Sequence, residues 1–258
     1  MPEQSKISSI SLLSWALNEE ENLREFCARA IEFCELIAFD YEIIVIDDGS
    51  TDGTLEILKE ISSLNSHIKY IEHHKNLGVG ASMKRAIYES SMEYLIWQTQ
   101  DWSYDLDWFS ANISILGNYD VIHGVRKLSF SLGNRSDNKV KALISLVNYL
   151  LIRLLFRAPF SDFQNVTLYK TKTVKSIDLI SSSSFTSPEL LLRTWLDGGN
   201  FLEVPVKFNP RKYGVAKGTK IQSILKSVKE ILMYRFYKWP KFDKSSSGQV
   251  AKLKNISI

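Results

Sequence analysis

The run Tyr41-Glu42-Ile43-Ile44-Val45-Ile46 is short and almost wholly apolar. It stops abruptly at Asp47-Asp48-Gly49-Ser50-Thr51-Asp52-Gly53-Thr54. A strand without polar alternation has both faces covered, which is the environment of a parallel sheet with helices on either side. The acids, glycines and hydroxyls that follow supply a turn away from the sheet.

The same alternation recurs along the chain. Residues 7–16 are rich in β-formers. Asn18, followed by Glu19, Glu20 and Glu21, predicts a capped helix start. Leu23, Phe26, Cys27, Ala30, Phe33, Cys34 and Ile37 then recur at helical spacing. A helix over 55–64, a strand over 67–72, a turn at Asn76-Leu77-Gly78-Val79-Gly80, a helix over 81–90, and strands over 93–97 and 119–125 follow. This order predicts an α/β fold, Rossmann-like, with a mostly parallel central sheet and right-handed crossovers. Beyond residue 125 come a polar loop to 139, an amphipathic helix over 140–156 stopped by Pro159, and a strand over 163–169. A helix then starts at Pro188 and ends at Asp197-Gly198-Gly199-Asn200. A strand over 201–208, a basic amphipathic helix over 221–237 and a mobile tail from Lys244 complete the chain. At 258 residues and 45% hydrophobic, it is long enough to bury one large core. Cys27 and Cys34 share a helical face and read as small core side chains in a reducing compartment.

Four stretches meet at strand carboxyl ends, where open α/β sheets bind ligands. They are Ala16-Leu17-Asn18-Glu19, Asp47-Asp48-Gly49-Ser50, Asn76-Leu77-Gly78-Val79-Gly80 and Thr99-Gln100-Asp101. Carboxylates there accept from a base N–H or a ribose hydroxyl, and glycines allow close backbone approach. In order and spacing, the first three resemble the A-x-N-E-x-x-x-L, V-x-D-D-G-S-x-D-x-T and N-x-G-x-G-A motifs of GT-A fold family 2 glycosyltransferases. The resemblance covers roughly the first half of the chain. It implies a nucleotide-sugar donor, with Asp48 on the base or ribose and Ala16, Asn18, Glu19 and Asp47 lining the same pocket. Gly78 joins that set by position, although it and Gly80 also suit the turn itself.

The second half is similar, in patches, to the polyprenyl-phosphate sugar transferases typified by dolichyl-phosphate mannose synthase. The matching residues are Gly124-Val125-Arg126, Arg135, Ser145, Asn148, Arg153, Ser161-Asp162-Phe163, Glu203-Val204-Pro205-Val206 and Arg211-Lys212-Tyr213-Gly214-Val215-Ala216-Lys217. Gln164-Asn165-Val166 stands where that group has Gly-Phe-Arg, and Ala216 replaces its serine. The resemblance implies one GT-A catalytic domain over 1–220, with a nucleotide-sugar half (1–125) and an acceptor half (126–220), then a basic helix and tail over 221–258. A departing diphosphate and a lipid phosphate both need cations, so Arg126, Arg135, Arg211 and Lys212 are the candidates. Glu189, in Ser187-Pro188-Glu189, is either the general base for a hydroxyl acceptor or a first-turn helix acid. His73-His74 reads as a solvated turn.

The family's metal motif is D-x-D after the fourth strand. Here Thr99-Gln100-Asp101 stands in its place within Trp97-Gln98-Thr99-Gln100-Asp101-Trp102. One carboxylate plus substrate phosphates suffices for Mg²⁺ or Mn²⁺. Asp101 is therefore the expected metal ligand, Thr99 and Gln100 flank it, and Asp105 and Asp107 are reserves. A register with Gln98 and Gln100 replacing both acids would remove the metal and leave the charge to arginines.

From Pro205 onward, 13 Lys and Arg face only Glu230 and Asp243. Such a block suits an anionic partner or a solvated tail. With the apolar residues of 140–156 and 221–241, it predicts peripheral attachment to the cytoplasmic membrane face. No leader and no spanning helix are expected, and no nucleic-acid motif is present. The leading expectation is an inverting transferase making a glycosylated polyprenyl phosphate. The alternatives are transfer to a glycan hydroxyl, or a non-catalytic nucleotide-sugar-binding protein.

Overall fold

The computed structural model of the chain describes residues 6–126, 139–207, 209, 221–238 and 247–253. Eight strands form one sheet: β1 (Ile7–Ala16), β2 (Ala38–Asp47), β3 (Ile68–Glu72), β4 (Tyr94–Trp97), β5 (Val121–Val125), β6 (Thr167–Lys170), β7 (Phe201–Pro205) and β8 (Val250–Lys252). Their spatial order is β3-β2-β1-β4-β6-β5-β7-β8. Only β6 runs antiparallel to its neighbours. The helices are α1 (Glu20–Ile37), α2 (Thr54–Leu64), α3 (Val79–Glu89), α4 (Asp107–Ala111), α5 (Ile113–Leu116), α6 (Lys139–Phe156), α7 (Thr171–Lys175), α8 (Thr186–Leu196) and α9 (Ile221–Met233).

The apolar run of β2 explains the layering. Successive strand side chains point to opposite faces, so Ile43 and Val45 enter one buried cluster while Ile44 and Ile46 enter the other. The first cluster is roofed by α1, α2, α4 and α5, the second by α3, α6 and α8 with Ile231 of α9. The helical stripe of α1 buries the seven residues its spacing predicts. Cys27 and Cys34 are free and buried within it, and burial pushes the Cys27 thiol up to about 12. Within the apolar run of β2 the polar exception is Glu42, which is buried. Its carboxylate accepts from Ser11 Oγ at 2.6 Å, Lys69 Nζ at 2.7 Å and Ser91 N at 2.6 Å. Burial alone would raise that carboxyl, but these donors hold it below its usual range.

Several expectations are corrected. Asn18 does not cap α1: Glu19 occupies the cap position without a side-chain bond, and Asn18 has φ +52°. β6 begins at Thr167, not near 163, because Phe163 N and Gln164 N are drawn onto the Asp162 carboxylate. The short α4, α5 and α7 fall in stretches for which the sequence predicts no element. α9 ends at Met233 and continues as a π-helical turn, Tyr234–Lys238. The tail expected to be mobile supplies β8, which pairs Val250 with Phe201 and Lys252 with Glu203. Lys252 Nζ reaches Glu203 at 3.2 Å, so a basic residue of the tail neutralises a buried acid of the sheet.

Candidate active site

Because β1–β4, β5 and β7 run in one direction, their carboxyl ends share one edge, joined there by the segment that enters antiparallel β6. The chain builds outward through β2 and β3, then crosses back to add β4 beside β1. That reversal makes the β1/β4 gap the switch point where such sheets open a ligand crevice. Ala16 and Trp97 end the two strands that flank it.

The loops after β1 and β2 are stapled to each other. Asn18 N donates to Ser50 Oγ at 2.9 Å, and Thr51 N donates to Asn18 Oδ1 at 2.8 Å. Glu19 N reaches Thr54 Oγ1 at 2.8 Å, and Gly53 N reaches Glu20 Oε2 at 2.7 Å. Asp48 N bonds the Ala16 carbonyl at 2.8 Å. The motif residues Asn18, Ser50, Thr51 and Thr54 thus hold the rim of the crevice in shape. Asp47 is buried beneath them, and burial pushes its carboxyl up despite two long bonds from Ser50 N.

Asp48 braces the third loop. Its carboxylate accepts from Leu77 N at 3.0 Å, Gly78 N at 2.9 Å and His73 Nδ1 at 2.8 Å. His73 is therefore largely buried against Asp48, not part of a solvated turn; its neighbour His74 is exposed. The partner lies 25 residues upstream, so no local pattern marks His73. Gly49 has φ +76°, and a Cβ there would meet Lys75 C at 2.6 Å, so only glycine lets the two loops touch. Gly78 has φ +90° and offers its N–H to Asp48.

The turn after β4 closes on itself. Trp102 N bonds Thr99 O at 2.9 Å, Ser103 N bonds Thr99 Oγ1 at 3.0 Å, and Ser103 Oγ bonds Asp101 Oδ1 at 2.6 Å. Gln98 is a buried staple, with Nε2 on Tyr104 O at 2.7 Å and Oε1 accepting Thr99 N at 2.9 Å. Gln100 turns its amide nitrogen inward: Nε2 donates to Ser14 Oγ at 2.9 Å. Trp102, at φ +50°, pins the turn to α1 beneath the Arg29 guanidinium, 4.7 Å from the ring centroid. Asn22, Glu25 and Arg29 of α1 line a crevice of about 10 Å³ with Gln100 and Asp101, room for about one water. Asp105 is a turn residue, accepting Asp107 N at 2.9 Å.

On the far side of the crevice, Arg126 follows β5. It forks onto Asp162 with Nε–Oδ2 2.8 Å and Nη2–Oδ1 3.0 Å. Burial opposes the Arg126 charge and would raise the Asp162 carboxyl, yet each is held ionised by the other. His123 lies beneath, fully buried. Its Nε2 meets the Asp162 carbonyl at 3.0 Å and its Nδ1 meets Thr167 Oγ1 at 2.8 Å. Burial pushes the imidazole below its ordinary value, against the pull of Asp162 and Glu203. A folded pKa below the unfolded one means that the unfolded chain binds the proton first as pH drops. Stability is therefore full above about pH 6.5 and is expected to fall by about 1.4 kcal/mol per unit below it, until the folded imidazole also protonates. Urea unfolding between pH 7 and pH 5 measures this. His123→Gln should remove the slope, and a slope that persists refutes the assignment.

Glu189 sits in the first turn of α8 with 0% exposure. Its carboxylate accepts from Ile180 N at 2.9 Å, Ser181 N at 2.8 Å and Ser181 Oγ, and Arg193 lies 3.5 Å away. The structure thus places this carboxylate inside the protein as an anchor for the loop at Ile180 and Ser181. Arg153 of α6 donates to the Phe160 carbonyl at 3.2 Å. Arg135, Arg211 and Lys212 lie outside the described residues.

Residues 11–171, which carry the stapled loops and the turn after β4, match the family described as Glycosyl transferase family 2. The chain belongs to that family. Its fold is shared with glucosyl-3-phosphoglycerate synthase from Mycobacterium tuberculosis, solved with Mn²⁺, UDP and glucosyl-3-phosphoglycerate. The TM-score is 0.60 and the identity 17%, over 88% of this chain and 80% of that one. The mannosyltransferase PcManGT from Pyrobaculum calidifontis, solved with GDP-Man and Mn²⁺, aligns with TM-score 0.54 at 12% identity, over 80% of this chain and 57% of that one. S. aureus TarS residues 1–349 align with TM-score 0.53 at 14% identity, over 89% and 72%. These likenesses establish the GT-A fold. Family 2 membership makes the chain a glycosyltransferase.

Proposed function

We propose that this family 2 enzyme moves a sugar, with inversion, from a nucleoside diphosphate donor to a polyprenyl phosphate at the cytoplasmic face of a membrane. The donor lies in the β1/β4 crevice, framed by Ala16, Asn18, Glu19 and Asp48, with Asp101 near its diphosphate. Relatives of the same fold hold Mn²⁺ with UDP or GDP-Man, and Asp101 suits that role here. Among the described residues no group of three His, Cys, Asp or Glu is poised for a metal. The protein then contributes one carboxylate, and the donor's phosphates and water complete the shell, as Mg²⁺ and Mn²⁺ sites on nucleotides allow. Bound there, the ion would neutralise charge on the departing diphosphate.

The observation that carries the choice of acceptor is the burial of Glu189. A hydroxyl acceptor needs a base within hydrogen-bond reach, and this carboxylate is saturated by its own loop. A phosphate acceptor is already nucleophilic and needs positioning and cations instead. The Arg126 fork stands at the same edge, with two of its five N–H donors spent on Asp162.

Turnover assays with UDP-, GDP-, dTDP- and CDP-sugars, each offered polyprenyl phosphate and a panel of glycan hydroxyls, test the reading. Product on the lipid phosphate alone supports it. Product on hydroxyls alone refutes it, and donor binding without any product favours the non-catalytic alternative. Glu189→Gln is expected to cost about 1–3 kcal/mol of stability through its orphaned donors, with kcat of the folded enzyme unchanged. Abolished kcat in a folded Glu189→Gln variant restores the base and the hydroxyl acceptor.

A further inference from the structure

The inner faces of α6 and α9 are sealed together. Phe156 meets Tyr234 at 6.0 Å between centroids, both rings pack on Phe185, and Arg235 Nε donates to the Leu155 carbonyl at 2.8 Å. Ser227, Ile231 and Tyr234 bury one side of α9 and its π-helical extension. The opposite side is mixed, with apolar side chains exposed beside lysines. Leu225 and Leu232 recur seven apart, and Phe236 and Tyr237 follow at 67% and 82% exposure. On α6, Leu150 and Leu154 form a second exposed apolar row, Leu154 at 74%. A helix that merely packs on its own domain shows solvent a mainly polar face, whereas here large apolar side chains share that face with lysines. Lys226 and Lys229 stand exposed among the apolar residues of α9. No helix among the described residues is long and apolar enough to cross a bilayer.

We propose that the outer faces of α6 and of α9 with its π-helical turn form a docking surface for an anionic lipid bilayer. Leu154, Leu232, Phe236 and Tyr237 enter the headgroup boundary while Lys226 and Lys229 meet lipid phosphates. The charge and the apolar side chains together select this occupant, because a second copy of the chain would bring the same lysines face to face. Docking this way also orients the enzyme. Glu230 of α9 accepts from Ser182 and Ser183 N at 3.1 and 3.0 Å. A Cβ on Gly80 at the start of α3 would meet Ser182 C at 2.4 Å. The face is thus tied through one loop to the ligand edge of the sheet. The inference deepens the proposed function by naming the surface that brings the enzyme to a lipid acceptor, and it is tested without acceptor or donor.

The test is cosedimentation of the full chain with phosphatidylcholine vesicles, with and without phosphatidylglycerol. Binding is expected with the anionic lipid and not with phosphatidylcholine alone. Lys226→Glu and Lys229→Glu should each weaken it by at least about fivefold, and Phe236→Ser with Tyr237→Ser by about tenfold or more. All four side chains are exposed, so the variants should keep the parent's thermal midpoint. Failure to bind either vesicle, or binding that these variants leave unchanged, overturns the proposal. So does a concentration-dependent dimer in sedimentation velocity that Phe236→Ser dissolves. A vesicle result of either kind leaves the acceptor to the turnover assay, so the two readings fail separately.

Discussion

Asp101→Asn is expected to lower kcat/KM by about 10²–10³-fold, the scale of removing one charge-stabilising group from a transfer site. The substitution keeps shape and an oxygen for Ser103 Oγ, which bonds Asp101 Oδ1 at 2.6 Å, so the turn should survive. What it removes is the charge that would hold a divalent ion against the donor's diphosphate. Titration calorimetry of UDP, GDP, dTDP and CDP, each with and without Mn²⁺, separates this from a folding defect. The expected result is one nucleotide whose binding requires metal in the parent and loses that requirement, with most of its affinity, in the variant. Metal-independent binding that survives the substitution would transfer the neutralising role to Arg126 and the other cations. The contrast with Gln100 sharpens the test. Gln100 turns inward onto Ser14, so Gln100→Ala should disturb the packing of β1 against the turn and leave the metal requirement as it was.

How much of this was legible beforehand follows from the range of each interaction. The core stripe of α1 and the two-faced burial of β2 are local patterns with fixed periods, and both were readable residue by residue. Asn18 has the chemistry of a cap, but its partners are Ser50 and Thr51 on another loop, and the local rule gave the wrong role. Asp48 shows the same limit: the motif placed it at the ligand edge, while its bonds to His73, Leu77 and Gly78 depend on how β2 and β3 pair. β8 has only three residues and no apolar run, so nothing but its pairing with β7 makes it a strand. The turn after β4 was the hardest case. Its residue types suggested ligands, but the left-handed Trp102 and the Arg29 contact decide which side chains face α1.

Removing the guanidinium of Arg126 is expected to do two separable things. Arg126 and Asp162 have 27% and 9% side-chain exposure, and stripping one partner from such a pair leaves the other charge buried without its counterion. Arg126→Ala should therefore destabilise the fold by about 3–5 kcal/mol. The same logic sets an acid limit. Burial would raise the Asp162 carboxyl, but Arg126, His123 and the Gln164 N–H hold it below its ordinary value. Its stabilising contribution is thus complete above the unfolded value of about 3.9. It is lost as pH falls through the lower folded value, and Arg126→Ala should move that loss toward higher pH. Stability and chemistry part company in the double variant Arg126→Met/Asp162→Asn. The asparagine oxygen still serves Phe163 N and Gln164 N, bonded to Asp162 at 2.8 and 3.1 Å, and no charge remains to be compensated. That protein should recover much of the stability lost in Arg126→Ala, as replacement of a whole buried pair commonly does. If Arg126 neutralises a phosphate, turnover stays low in the refolded double variant, and kcat falls with the midpoint restored. If turnover returns with stability, Arg126 only holds the β5–β6 corner in place, and the cation for the transferred or accepting phosphate must come from elsewhere in the chain.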